Sequence, residues 1–530
     1  MARQFKSSRT ETVARTADGL LQGFFLDGLY IFHGIKYADA ERFQAPRAVE
    51  PWEGIKDATN YGYICPVSGE PMPTGELLIP HRFWPANEHC QYLNIWTPSL
   101  DPTAKKPVMV WLHGGGFANG SSIEQVAYEG DALAQAGDVV VVTINHRLNI
   151  LGYLDMSSFG EKYANSVNAG MADIVEALRW IRRNISAFGS DPGNVMLFGQ
   201  SGGGGKISAL LQIPAAAGLF HKAVLMSGIF ESDDGEPCDH REFILETMDE
   251  LGIAHDEPEK LEKVPYVFLM RAFNKVSLKK FREEKKLINW GPMANDWYLG
   301  DPMKVGFSEF AKTVPIMAGT VISEFNMAPG SPDEDRLTYE DKRAMIAAVY
   351  GESTDKVIEL FEKAYPNKDL LQLTKLDIGA RLATTRYIEA KARVSSAPNY
   401  LYLFALDFEI DGPRPAWHCS DIPFVFHNTR RVPCSNIEGV TENLEEQVCG
   451  AYVSFARTDD PSHMGLPEWA PYTDGTPVTM IFDRKCRVGD NFDRELMETL
   501  HELTPPMSLA GLAVMMLENS VNEQGGEWFY

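Results

Sequence analysis

Residues 194–211 read NVMLFGQSGGGGKISALL, and this stretch constrains the chain more than any other. An apolar run of strand character, residues 194–199, enters Gly199-Gln200-Ser201-Gly202-Gly203, and residues 205–211 continue as a helix. The pattern is G-x-S-x-G between a strand and a helix. A serine there sits on a tight, strained turn that holds its Oγ out at the edge of a sheet. Small residues two before and two after it let strand and helix approach closely. The helix N-terminus also offers backbone N–H groups to a developing negative charge. Two blander readings fit less well. Glycines 202–205 followed by Lys206 suggest a phosphate-cradling loop, but G-x-x-x-x-G-K-[ST] fails at Gln200 and at Ile207. A flexible glycine hinge leaves unexplained why an apolar strand runs straight into the serine.

A second glycine run lies upstream. His113-Gly114-Gly115-Gly116-Phe117 follows the short apolar strand 107–112. Glycine amides are unhindered, so the N–H groups of Gly115, Gly116 and Gly202 are expected to converge on an oxyanion beside Ser201. Further strands are predicted at 138–144, 222–226, 314–320 and 400–408, with 478–482 as the last, and a helix over 171–185. Short β-like runs fill the first 60 residues. Strands spaced by helices imply an α/β chain with a parallel sheet covered on both faces. Two charged helical stretches, roughly 238–290 and 332–397, are expected to border that sheet as a lid or side wall. Length alone would allow three or four domains of about 150 residues. No repeat or linker divides the chain, however, so residues 1–530 are read as one unit.

A serine nucleophile needs a base, and the base needs an orienting carboxylate. In this architecture both follow the serine, acid first, on loops at the C-terminal ends of later strands. Glu324 lies just past the strand 314–320, and His418 lies past the next long one. His221, His240, His255, His418, His427, His463 and His501 all follow Ser201. Order removes the first three, which precede Glu324. His427 falls in a predicted helix over 422–428, and His501 lies on a charged C-terminal helix. His463, in a Pro/Ser loop, is the main competitor of His418. Asp296 and Asp301 are the nearest alternative acids, but both precede the strand. Ser227, after strand 222–226, is either a supporting contact of the triad or a turn serine.

Charge narrows the partners. Lys plus Arg is 49 and Asp plus Glu is 73, a net charge of −24, which opposes nucleic-acid binding and docking to an anionic membrane. The N-terminus has no apolar h-region, and the longest apolar runs are far short of the ~20 residues of a membrane helix. The seven cysteines are odd in number and show no CxxC, so neither a zinc site nor a disulfide scaffold is expected. Sequons stand at Asn119 and Asn184. A glycan on Asn119 would crowd the glycine loop. A cytoplasmic protein is therefore expected, with secretion open if a leader has been trimmed.

Taken in order, these segments resemble the type-B carboxylesterases, the cholinesterase-like branch of the α/β hydrolases. Residues 32–38 (FHGIKYA), Arg42-Phe43 and Pro51-Trp52 resemble that family's GIPYA…RF…P.W opening. Residues 88–95 (EHCQYLNI) are similar to its EDCLYLNV block, 143–148 (TINHRL) to its NYRL segment, Asn168-Ala169-Gly170 with Asp173 to NxGLxD, and 184–192 (NISAFGSDP) to NIxxFGGDP. The HGGG-type loop, serine, Glu324 and His418 blocks follow in family order. The resemblance implies an α/β-hydrolase fold: one large catalytic domain with a mostly parallel central sheet flanked by helices, and helical insertions bordering a deep gorge. It implies a triad of Ser201, Glu324 and His418, an oxyanion hole from Gly115, Gly116 and Gly202, and Trp290 lining the acyl pocket, with Phe117 and Gln200 as further substrate contacts. Cys65 and Cys90 resemble the pair of the family's first disulfide, which would stay free in a reducing compartment.

Three departures stand out. Gln200 replaces the usual Glu before the serine, Gly202 the usual Ala after it, and Asp421 a usual Glu after the histidine. Loss of the carboxylate at 200 argues against a quaternary-ammonium substrate. The expected activity is serine carboxylesterase, working through an acyl-enzyme on a small-molecule ester, with no metal or organic cofactor, as a monomer or homodimer. Amide, thioester or lactone cleavage by the same triad is the alternative, and a non-catalytic binding domain on the same fold the more distant one.

Overall fold

The computed structural model describes residues 4–67, 78–231, 238–325, 334–410 and 412–505. Residues 332–333 of the second helical stretch and 506–530 of the single unit lie outside these. A 12-stranded sheet runs through the molecule. Its strands are β1 (Phe5–Lys6), β2 (Phe24–Leu26), β3 (Leu29–Lys36), β4 (Tyr92–Thr97), β5 (Lys106–Leu112), β6 (Val140–Ile144), β7 (Ser190–Gln200), β8 (Lys222–Met226), β9 (Ile316–Val321), β10 (Asn399–Phe404), β11 (Val478–Phe482) and β12 (Arg487–Asp490). The spatial order is β1-β2-β3-β4-β6-β5-β7-β8-β9-β10-β11-β12. Pairing is parallel from β6 to β11; the strands before β6 in that order, and β12, are antiparallel additions at the two edges.

The parallel strands are continuous apolar runs because helices cover both of their faces. Side chains alternate between two cores. Met109, Trp111, Met196, Phe198, Val224 and Met226 enter one. Val108, Val110, Leu112, Val195, Leu197, Ala223 and Leu225 enter the other. Helix α1 (Ala169–Asn184) packs on the second face and ends in Arg182 and Arg183, which complement its C-terminal dipole. Helix α2 (Gly202–Leu210) starts directly after Ser201, three residues earlier than the sequence pattern suggests.

The two charged stretches are helical. The first holds α3 (His240–Glu250) and α4 (Tyr266–Glu284), whose Phe243, Met248, Leu269 and Phe273 share a third core with Leu148, Ile150 and Leu151. The second holds α5 (Tyr339–Tyr350), opened by a Thr338–Asp341 capping box, then α6 (Thr354–Ala364) and α7 (Gly379–Ala392). Helix α8 (Thr441–Thr458) covers the opposite face.

Three sequence readings are corrected. The strand expected over 400–408 leaves the sheet after Phe404; Asp407–Glu409 instead pairs with Pro413–Pro415 as a separate two-stranded ribbon. The strand at 478–482 is not the last, since β12 pairs with it. The helix expected through His427 ends at Val425, because His427 itself takes φ 59°.

Polar residues of the early motifs tie loops together. The Arg147 guanidinium donates to both carboxylate oxygens of Asp173 at 2.7 and 2.8 Å and to the carbonyls of Glu41 and Gln44 at 2.9 and 2.8 Å. Arg42 pairs with Glu88 and donates to the carbonyls of Leu261 and Val264, joining the N-terminal segment to the first helical insertion.

Candidate active site

The registers Leu112↔Gly199, Gln200↔Met226, Met226↔Gly319 and Val321↔Phe404 bring the C-terminal ends of β5, β7, β8, β9 and β10 to one edge. Open α/β sheets bind their ligands outside that edge.

Ser201 occupies a turn at φ 57°, ψ −127°, a conformation costly for a residue with a Cβ. Its N–H donates to the carbonyl of Met226 at 2.8 Å, which pins the turn to the neighbouring strand end. The turn is possible because Gly203 lacks a side chain: a Cβ there would lie 2.0 Å from the carbonyl oxygen of Leu112. Gly202 is equally close to the other glycine loop, where its Cβ would lie 2.7 Å from the nitrogen of Gly116. The alanine usual at this place would push the loop away, so glycine here brings the first turn of α2 against it.

That loop is exposed at Gly115 and Gly116, which take φ 89° and 56°. It is held by the N–H groups of Ala118 and Asn119, which donate to the Gly115 carbonyl at 3.0 and 2.9 Å. Asn149 holds it from outside: its N–H donates to Phe117 O at 2.9 Å and its side-chain amide to Ala118 O at 3.1 Å. In the described loops and turns the amides of Gly115 and Gly116 donate to no carbonyl.

The other half of the site is made by side chains. Glu324 is fully buried just past β9. One of its carboxylate oxygens accepts from Nδ1 of His418 at 2.6 Å and the other from the N–H of Val321 at 3.0 Å. The His418 N–H donates to the Glu324 carbonyl at 2.6 Å, so the two residues are joined through backbone and side chain. The His418 ring packs on Phe325 with centroids 4.7 Å apart. With Nδ1 donating to the carboxylate, Nε2 is an acceptor. The side-chain amide of Gln200, the residue before Ser201, donates to it at 3.1 Å, and the Cys419 thiol donates to Gln200 Oε1 at 3.2 Å. A carboxylate at 200 could only accept and would favour the charged ring; the carboxamide donates to the neutral one.

Two further carboxyls surround this pair, and sequence reasoning gave neither a role. Asp377, before α7, is half-buried; its N–H donates to Ile322 O at 3.0 Å and its carboxylate accepts from Ala380 N at 2.8 Å. Burial, then the charge of Glu324, pushes its carboxyl up to about 7. Asp421, 1% exposed, is pushed up to about 7 by the same two causes in the same order. Asp421 was visible as a substitution for Glu. Asp377 carries no sequence signal, since it reaches the site only through the helical insertion.

The competing residues are employed elsewhere. His463 Nε2 bonds the carbonyl of Gln447 on α8 at 3.0 Å. His501 approaches Glu231 at 3.4 Å and His427 approaches Glu446 at 3.1 Å. Asp301 caps a short helix through Met303 N at 2.9 Å, and Asp296 is exposed. Phe117 packs edge-on against Tyr153 at 5.3 Å, and Gly291 approaches its ring. The Trp290 ring lies tilted against Phe273 of α4, with centroids 5.7 Å apart. Ser227 is buried at φ 46° at the end of β8. The Asn184 sequon is buried, and its side chain bonds Ala17 N at 2.9 Å and Asp18 at 2.8 Å. All seven cysteines, Cys65 and Cys90 included, are free thiols. Glu242, Glu246 and Glu284 cluster on α3 and α4 but are engaged by Lys280 and Lys286. A cavity of about 750 Å³ opens beside the glycine loop, lined by Asn119, Gly120, Ser121 and Glu124 together with Trp84 and Tyr266.

The sequence profile of the carboxylesterase family matches residues 10–499. The chain belongs to the carboxylesterase family. It is a carboxylic ester hydrolase with the α/β fold of carboxylesterase structures. It is 31% identical over 499 residues to the para-nitrobenzyl esterase of Bacillus subtilis, covering 93% of this chain and 99% of that one. It is 31% identical over 490 residues to the phenmedipham hydrolase of Pseudarthrobacter oxydans, covering 89% and 95%. Among solved structures, an esterase from anaerobic Clostridium hathewayi that can hydrolyze aliphatic aromatic polyesters superposes with a TM-score of 0.91 at 47% identity, covering 95% of this carboxylesterase and 100% of that chain. Among the described residues no helix is long and apolar enough to cross a membrane.

Proposed function

We propose that this carboxylesterase cleaves its ester with Ser201 as nucleophile, His418 as base and Glu324 as the acid that orients it. The observation that carries the reading is the Glu324–His418 hydrogen bond of 2.6 Å, with the free ring nitrogen turned to the residue next to Ser201. His418 takes the Ser201 proton on Nε2 as Oγ attacks the carbonyl carbon, and Gln200 yields that nitrogen during the step. Glu324 keeps Nδ1 protonated and stabilises the imidazolium. The amides of Gly115, Gly116 and Gly202 receive the oxyanion, each worth about 3–4 kcal/mol in the transition state. The alkoxide leaves with the proton from His418, and a water deprotonated by His418 releases the acid from Ser201.

For the substrate we propose esters that join an aromatic acid or alcohol to an aliphatic partner. This rests on the polyester-hydrolysing relative at 47% identity and on the aromatic ring that Phe117 offers in the glycine loop, with Gly291 against it. With Gln200 uncharged and next to Ser201, a cationic alcohol group has no counter-charge there. A cytoplasmic location is the companion proposal, supported by the buried Asn184 sequon. The test is hydrolysis of p-nitrophenyl and benzoate esters by Ser201→Ala. A loss of about 10⁴-fold or more in kcat is expected; wild-type rates in that variant would overturn the assignment.

A further inference from the structure

One charged side chain at the site is used by none of this chemistry. Lys206 lies on α2, one turn after Gly202, and is 0% exposed. Its Nζ donates to the carbonyl of His113 at 2.9 Å and stands 5.6 Å from the centre of the Phe117 ring. His113 is the residue at which β5 becomes the glycine loop. The lysine therefore reaches from the helix that supplies one proposed oxyanion amide to the root of the loop that supplies the other two.

Burying an ammonium is costly unless it is paired and well hydrogen-bonded. The same molecule shows how a purely structural lysine is satisfied: Lys391 donates to Val314 O at 2.8 Å, Ser395 Oγ at 3.0 Å and Asn399 Oδ1 at 2.9 Å. Lys206 has one acceptor among the described residues. It faces Glu124, His113, His146 and Cys65, the titratable groups that surround it from the glycine loop, from the segment after β6 and from the N-terminal region. The His113 and His146 rings stack with centroids 4.9 Å apart, and burial, then the Lys206 charge, holds both well below the usual histidine range. The cluster around the ammonium thus holds two neutral imidazoles, the Cys65 thiol and one carboxyl, Glu124, which burial pushes up to about 7.

We propose that Lys206 is a positioning residue of the oxyanion hole: its ammonium clamps the root of the glycine loop to α2 and sets a positive charge behind the amides that receive the oxyanion. The inference rests on the reading of Ser201 and the glycine amides given above. A clamp of this kind acts on the transition state more than on the bound ester, because misplacing oxyanion donors by a fraction of an ångström weakens only the interaction with the developing charge. Burial pushes the Lys206 ammonium down to about 7, partly offset by Glu124 and then Cys65. The clamp is therefore charged on the acid side of that value and neutral on the alkaline side.

The experiment compares wild type with Lys206→Met and Lys206→Gln on a p-nitrophenyl ester, together with the affinity for an aryl trifluoromethyl ketone, which adds to the serine, and for the free alcohol product, which does not. In Lys206→Met a kcat loss of about 10- to 100-fold is expected with KM within about threefold. The ketone should weaken by a similar factor and the alcohol hold its affinity. The Met-to-wild-type deficit should be greatest below pH 7 and shrink above it, as wild type loses the same charge. Lys206→Gln, a shorter donor without charge, should fall between. If Lys206→Met does not fold, Glu124→Gln serves instead. Removing a carboxylate that favours the ammonium should shift the alkaline limb of kcat to lower pH. The proposal is overturned by wild-type kcat in a folded Lys206→Met protein, by equal weakening of ketone and alcohol, or by an unmoved limb in Glu124→Gln. Labelling of wild type by a fluorophosphonate separates the two readings. Failure to label Ser201 removes the triad reading itself, whereas labelling with unaffected lysine variants removes only this inference.

Discussion

The two halves of the site are held by different means. On the nucleophile side the backbone does the holding. Ser201 sits in a strained turn, Gly203 passes 2.0 Å (measured from where a Cβ would be) from a strand carbonyl, and Gly202 abuts the Gly116 amide. On the base side most of the holding passes through side chains. Glu324 holds His418 at Nδ1, Gln200 engages the other ring nitrogen and is itself held by the Cys419 thiol, and Asp377 and Asp421 crowd the acid from two further elements. The contrast teaches where each half is vulnerable. The first tolerates no added atom, and the second tolerates no misplaced charge.

The sharpest break of the comparison is on the base side. His418→Ala should cost about 10⁴-fold or more in kcat, while His463→Ala, whose ring bonds a helix carbonyl, should stay near wild type; p-nitrophenyl ester turnover checks both. The reverse outcome would move the base to the other histidine. The matching break on the nucleophile side is Gly203→Ala. One methyl there meets backbone, not a flexible side chain, so the expected cost is about 3 kcal/mol of stability as well as activity. Denaturant unfolding measures it, and an unchanged midpoint would mean that the strand and helix do not meet as described.

The smallest effect concerns the surrounding carboxyls. Burial, then Glu324, raises Asp421 to about 7, above the ~3.9 of an unfolded aspartate. Between about pH 4 and 7 the folded protein holds a proton that the unfolded chain has released, so this group's contribution to stability is lost as pH rises. Asp421→Asn removes that loss. Its melting temperature relative to wild type should rise between pH 5 and pH 8, by roughly a few degrees in a chain of this size. A flat difference would show that Asp421 is ionised throughout.

The same contrast explains what the sequence could tell. Parts fixed by backbone leave glycines at set spacings, so Gly115, Gly116, Ser201 and Gly203 were readable, as was the strand–turn–helix order around them. Chain order alone singles out Glu324 and His418 as candidates and leaves His463 beside them; in the structure His418 bonds Glu324, whereas the His463 ring bonds a carbonyl of α8. Parts fixed by tertiary contact were silent. Asp377 arrives from a helical insertion, and Lys206 looked like a failed phosphate loop because nothing in its neighbours reveals the carbonyl it reaches. Strand ends failed for a related reason. The run 400–408 is apolar but for Asp407, yet the chain turns out of the sheet at Phe404 to deliver His418, and that exit is set by the pairing of 407–409 with 413–415.

The central claim is that Ser201 is the nucleophile of this esterase. Its most direct test is mass spectrometry of the protein after brief exposure to a fluorophosphonate. One adduct on the peptide carrying Ser201, absent in His418→Ala and formed in step with loss of esterase activity, is the result predicted. Complete inactivation with the adduct on another residue, or full activity with Ser201 modified, would contradict it.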